Sequence, residues 1–179
     1  MGGRIPDMTT DTRTMPPPVG DERATLTGWL NFYRATLAEK CAGLSEAQLR
    51  TAAVEPSALS LLGLVRHLAE VERNWFRRVL TGEDAPPIYD ERADPEGRDG
   101  GFEFTEDSTF EQARRIWTEE IAVAERNCAG VELDARIPCA ALGGEVTLRW
   151  IYTHMIAEYA RHDGHADLIR ERIDGHTGF

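Results

Sequence analysis

Lysine is almost missing from this 179-residue chain: Lys40 is the only one, and the rest of its 20 basic residues are arginine. That bias reads as high-GC coding rather than chemistry. Positive charge is short overall. Thirty-one acidic residues leave a net charge of −11 and a pI near 4.9, which argues against nucleic acid or an anionic membrane as the main partner, because both would repel it. No apolar run approaches the roughly 18 residues of a membrane span. The opening MGGRIPDMTTDTRTMPPPVG has no hydrophobic signal-peptide core, so a cytoplasmic protein is predicted. Cysteine is sparse too. Cys41, Cys128 and Cys139 are odd in number and widely spaced, with no CxxC, which speaks against a disulfide framework or a cysteine metal site. Reduced, partly buried thiols are the expected state. Strand-type alternation is scarce, and no internal repeat is present.

What is present is helical periodicity. The length suits one domain, and 41% apolar residues with four Trp and six Phe supply a core. Residues 1–19 are polar, Pro-rich and aperiodic, and are predicted to be a flexible tail; 20–179 form the folded domain. A first helix is predicted over 21–42, with Leu26, Trp29, Leu30, Tyr33 and Leu37 inward and Gly43 as its stop. Ser45 followed by Gln48 is a capping-box pattern for a short helix. Ser60 caps a second long helix over 60–81, whose apolar face holds Leu61, Leu64, Leu68, Val71, Trp75, Phe76 and Val79. Residues 83–107 are acidic and rich in Gly and Pro, too long for a tight turn, and are expected to cross over the fold. A third helix over 108–129 carries Phe110, Ala113, Ile116, Trp117 and Ile121 inward. ARIPCAALGGEVTL reads as a small hairpin turning at Gly143-Gly144. A last helix spans 147–172, with Thr147 as its cap and Trp150, Tyr159 and Leu168 assigned to the core. Four long amphipathic helices predict an all-α four-helix bundle, with a long crossover between helices 2 and 3 that sets those two parallel.

The chemistry is concentrated in the last helix. Residues four apart lie about 40° from alignment, so His154, Glu158 and His162 form one row, and His165 falls back into the same stripe. Three imidazoles and a carboxylate among apolar residues need water, a partner or a metal. Bundle interiors build metal sites from facing helices, and His67 is the one histidine outside the last helix and its tail. His67, Glu158 and His162 would supply two nitrogens and one oxygen, the donor set of an open catalytic zinc site. Nickel, iron or manganese accept the same ligands. His165 and His154 are reserve ligands. The competing reading is a set of hydrogen-bonded core histidines.

LSLLGLVRHLAEVERNWF and LRWIYTHMIAEYARHDGHADLIRERIDG resemble the DinB/YfiT-like superfamily, within it a mostly actinobacterial branch, and the resemblance runs from about residue 20 onward. It implies a four-helix bundle of up-down-down-up topology and a homodimer. It also implies a divalent metal held by one histidine of the second helix and two residues four apart on the last, many members using H…HxxxH. Here Glu158 stands at the first of those two positions, a variant similar to the His, Glu, His zinc site of mycothiol-dependent maleylpyruvate isomerase. The resemblance therefore implies His67, Glu158 and His162 as ligands and a small-molecule substrate. The expected activity is a mycothiol-type thiol-dependent transferase or isomerase, or a hydrolase. The alternative class is a non-catalytic metal-binding or stress-related bundle.

Overall fold

Each long helix begins where a side chain can satisfy a backbone N–H that the helix leaves without a partner. The computed structural model describes residues 13–89 and 101–177. α1 (Glu22–Cys41) is capped by Asp21, which accepts from the Ala24 N–H at 2.7 Å. The short α2 (Glu46–Leu49) carries the Ser45–Gln48 capping box. α3 (Leu61–Arg73) starts at Ser60, α4 (Phe110–Cys128) at Thr109 and α5 (Leu148–Asp174) at Thr147, each hydroxyl accepting from the N–H three residues on. Among the described residues the chain is mostly helical, with one small sheet. In that sheet β1 (Arg136–Cys139) pairs antiparallel with β2 (Gly144–Thr147). No helix among the described residues is long and apolar enough to cross a membrane.

Three local features differ from the sequence expectation. The second long helix does not stay α-helical to residue 81: α3 passes without a break into a π-helical segment, Asn74–Val79. The Asn127 side chain donates to the Phe76 carbonyl within it at 2.9 Å. The hairpin exists, but Gly144 pairs with Cys139 inside the strand, and the turn is a 3₁₀ turn, Ala140–Leu142, closed by Gly143 at φ 71°. Trp150 and Leu168 do not enter the core; they are 40% and 55% exposed. Of the predicted tail, residues 1–12 lie outside the described residues. Over 13–19, Pro16 is buried against Gly28, where a Cβ would sit 3.1 Å from the proline ring. Of the predicted crossover, 90–100 likewise lie outside the described residues.

The helices meet in matched pairs. Glu22 at the start of α1 accepts from Arg149 at the start of α5, and Lys40 near the end of α1 lies 2.5 Å from Asp167 near the end of α5. Arg170 closes the same end by donating to the Lys40 and Ala42 carbonyls at 3.0 and 2.7 Å, satisfying acceptors the α1 C-terminus leaves open. Between α3 and α4, Arg73 and the π-segment's Arg77 both donate to the buried Glu120.

Inside the apolar core of Leu30, Leu37, Leu61, Leu64, Leu68, Met155 and their neighbours runs one polar chain. Arg34 of α1 donates two bonds to Glu72 of α3, at 2.8 and 2.7 Å. Tyr159 of α5 donates to the same carboxylate at 2.7 Å, and Trp117 of α4 donates to the Tyr159 hydroxyl at 2.7 Å. Burial works against the Arg34 charge, but Glu72 and Tyr159 beside it hold the guanidinium above its ordinary pKa. Removing one partner strands the other: Arg34→Leu should destabilise by about 3–5 kcal/mol, the cost of an uncompensated buried charge. Tyr159→Phe should cost about 1–3 kcal/mol. Urea unfolding of both variants checks the order.

Candidate metal centre

α5 is 27 residues long, and its four-residue spacing brings Glu158 and His162 to one side. His67 arrives from α3. The Glu158 carboxylate Oε1 stands 3.2 Å from His67 Nε2 and 3.2 Å from His162 Nε2. Ligand atoms of these three side chains all lie within 4.8 Å of one another, and they are the metal-capable group found among the described residues. Two donors about 2.0–2.1 Å from a tetrahedral ion lie roughly 3.3–3.4 Å apart, so the carboxylate–imidazole spacings fit a shared cation with little adjustment. Hydrogen bonds from His162 and then His67 hold the Glu158 carboxyl well below the usual carboxylate range, against the opposing effect of burial. It is therefore an anion at neutral pH, ready to offset a cation's charge. The side chains of His67 and Glu158 are 14% and 19% exposed and that of His162 is 8% exposed, so the group is mostly buried but keeps some contact with solvent.

The two reserve histidines have other places. His165 Nδ1 lies 3.3 Å from His162 Nδ1. That contact fixes the ring and leaves His162 Nε2 facing Glu158, the part an outer partner plays for a ligand imidazole. His154 stacks on Trp150, planes 8° apart and centroids at 5.1 Å, with Trp75 4.6 Å away. Burial lowers the pKa of both histidines. Asp163, next to His162, is buried, and its oxygens have no hydrogen-bond partner. Burial, helped by Asp167, pushes it up to about 8, so the carboxyl is neutral.

One contributor left no periodic signal. Phe102 comes from the long acidic segment and lies flat on His67, centroids 4.1 Å apart and planes 15° apart; it is 5.7 Å from the His162 ring. Arg66 holds the segment down, donating to the Gly101 and Glu103 carbonyls at 3.1 and 3.2 Å while its guanidinium sits 3.6 Å from the Tyr89 centroid. Gly63 permits this approach, since a Cβ there would stand 2.9 Å from the Phe102 carbonyl oxygen. The segment was expected to cross over the fold, and nothing in its composition singles out Phe102.

The family model described as mycothiol-S-transferase matches residues 25–175, a span that holds all three converging side chains. The chain belongs to the mycothiol-S-transferase family. This is a DinB/YfiT-like family, as the resemblance implied. No curated protein matches the sequence.

For a member of a thiol-handling family, the chain's own thiols are out of reach. Cys41, Cys128 and Cys139 are all buried. Burial pushes Cys41 up to about 12, and it raises Cys128 as well, against a hydrogen bond with Tyr152. Thiols held this way are inert. Ellman's reagent should report well under one reactive thiol per folded chain and three after denaturation. Rapid reaction of one thiol in the native state would show that a cysteine does reach solvent.

Proposed function

We propose that this protein is a divalent-metal-dependent transferase that joins a mycothiol-type thiol, through its sulfur, to a small-molecule acceptor, with His67, Glu158 and His162 holding the metal. The observation that carries the reading is the joint presence of the family match and a two-nitrogen, one-oxygen donor set at ligand spacing. Zinc is the first candidate ion for these donors; nickel, iron and manganese take the same set. A bound divalent ion would supply Lewis acidity that lowers the pKa of a neighbouring thiol. The chain's residues do the rest. Glu158 brings one negative charge, His67 and His162 present Nε2, His165 orients His162, and Phe102 fixes the plane of His67 and covers it from water. The family match favours a thiol over water as the nucleophile, and so a transferase over the isomerase and hydrolase alternatives.

The same reading takes the four long helices as one DinB-like up-down-down-up bundle over 20–179. The end-to-end pairing of α1 with α5, and the ladder of Arg73, Arg77 and Asn127 contacts between the second and third long helices, support it. A cytoplasmic homodimer completes it, testable by light scattering.

Elemental analysis and a mycothiol-consumption assay test the function together. The wild type should carry one metal per chain. His67→Ala and Glu158→Gln should each lower metal affinity by more than about a hundredfold, beyond the loss typical of an outer partner, and abolish thiol consumption. Stoichiometric metal in both variants would sink the triad. A wild type that takes up no metal on supplementation would leave the imidazoles as core hydrogen-bonders and remove the metal-dependent reading.

A further inference from the structure

Beside the triad, the same two helices build a second feature that metal binding does not use. Trp75, on the π-helical segment, meets Trp150 and His154 of α5, with centroid distances of 5.2 Å to Trp150 and 4.6 Å to His154. Trp150 and His154 lie nearly parallel. Trp150 is 40% exposed, and it is the one aromatic among the described large apolar side chains that face solvent; the others are Met15, Val19, Leu142 and Leu168. Trp150 thus keeps part of its ring surface open to solvent while it packs on two other rings, which makes a contiguous aromatic patch rather than a lone exposed side chain. His154 is one helical turn before Glu158, an axial step of about 6 Å at 1.5 Å per residue. His154 and Glu158 therefore lie on one side of α5, with Trp150 one turn further from the triad. All three rings are uncharged at neutral pH, since burial lowers His154, and indoles stack best offset against flat partners.

The geometry points to Trp75, Trp150 and His154 as the acceptor subsite, a ring shelf that binds a planar, conjugated electrophile one helical turn from the triad. This rests on the transferase reading for its role, though not for its binding. The reaction it serves is a conjugate addition. The thiol loses its proton, its sulfur forms a C–S bond to the β-carbon of an α,β-unsaturated carbonyl, the C=C π pair moves toward the carbonyl, and the α-carbon regains a proton. No group leaves and no oxidant is needed.

Coumarin, a planar conjugated lactone, tests the shelf by calorimetry in the absence of thiol, with δ-valerolactone as the non-aromatic control. The wild type should bind coumarin at least tenfold more tightly than the control. Trp150→Ala, at a position exposed enough to leave folding intact, and His154→Ala should each weaken coumarin at least tenfold with metal content unchanged. His154→Phe, which keeps a flat ring, should restore binding. Glu158→Gln should lose metal yet bind coumarin as the wild type does, so the two readings fail separately. Coumarin affinity within twofold of wild type in both alanine variants, or no preference over δ-valerolactone, overturns the shelf. A metal-free wild type that still binds coumarin through Trp150 would remove the metal-dependent reading and keep the shelf.

Discussion

The bidentate bond between Arg34 and Glu72 is the constraint on which the helical packing turns. Two charges taken out of water cost several kcal/mol each, and their attraction offsets this only if the remaining lone pairs are also satisfied. Tyr159 supplies the next hydrogen bond to Glu72, and Trp117 satisfies the Tyr159 oxygen. Each of the four long helices thus contributes one member. Hydrophobic burial is non-directional and tolerates sliding; a connected set of buried hydrogen bonds does not. The axial position of α5 against α3 is therefore set by Tyr159 reaching Glu72.

That register has a chemical consequence. Glu158 precedes Tyr159, and consecutive helical residues point about 100° apart. Turning Tyr159 inward to Glu72 turns Glu158 toward the α3 face that carries His67, five residues before Glu72. The half-open donor group is the outer product of an inner hydrogen bond. Phe102 then covers the His67 ring from the loop side, in a position that Arg66 and the bare Cα of Gly63 secure. Core, site and covering segment are thus coupled through a few contacts on α3.

Helix starts were legible in the sequence because capping is local: Ser45, Ser60, Thr109 and Thr147 all act on backbone within three residues. The pairing of Glu158 with His162 was legible for the same reason, as helical spacing alone places them together. What was not legible depends on other helices. Arg34 and Glu72 look like solvated charges until each is seen to bury the other. Trp150 and Leu168 look like core by hydrophobicity, yet the buried stripe of α5 passes through Ile151, Tyr152, Met155, Tyr159 and Ile169 instead and leaves them outside. The π-helical segment spans six residues, too few for its own period to register as a pattern. The roles of His154 and His165 turned on which rings lie across from them, which one-dimensional spacing does not record.

Lys40, the single lysine, is 4% exposed and lies against Asp167 while Arg170 donates to its carbonyl. Apart from the five histidines, every other basic side chain is a guanidinium, which keeps its proton throughout the range in which proteins survive. The one side-chain amine open to acylation is thus walled in, and acylation would first have to pull α1 from α5. Reactive acyl donors that blunt lysine-rich surfaces have little purchase on a surface built this way. For a protein read as handling electrophiles, that is a form of chemical self-protection: its one side-chain amine and its three thiols are all kept inside.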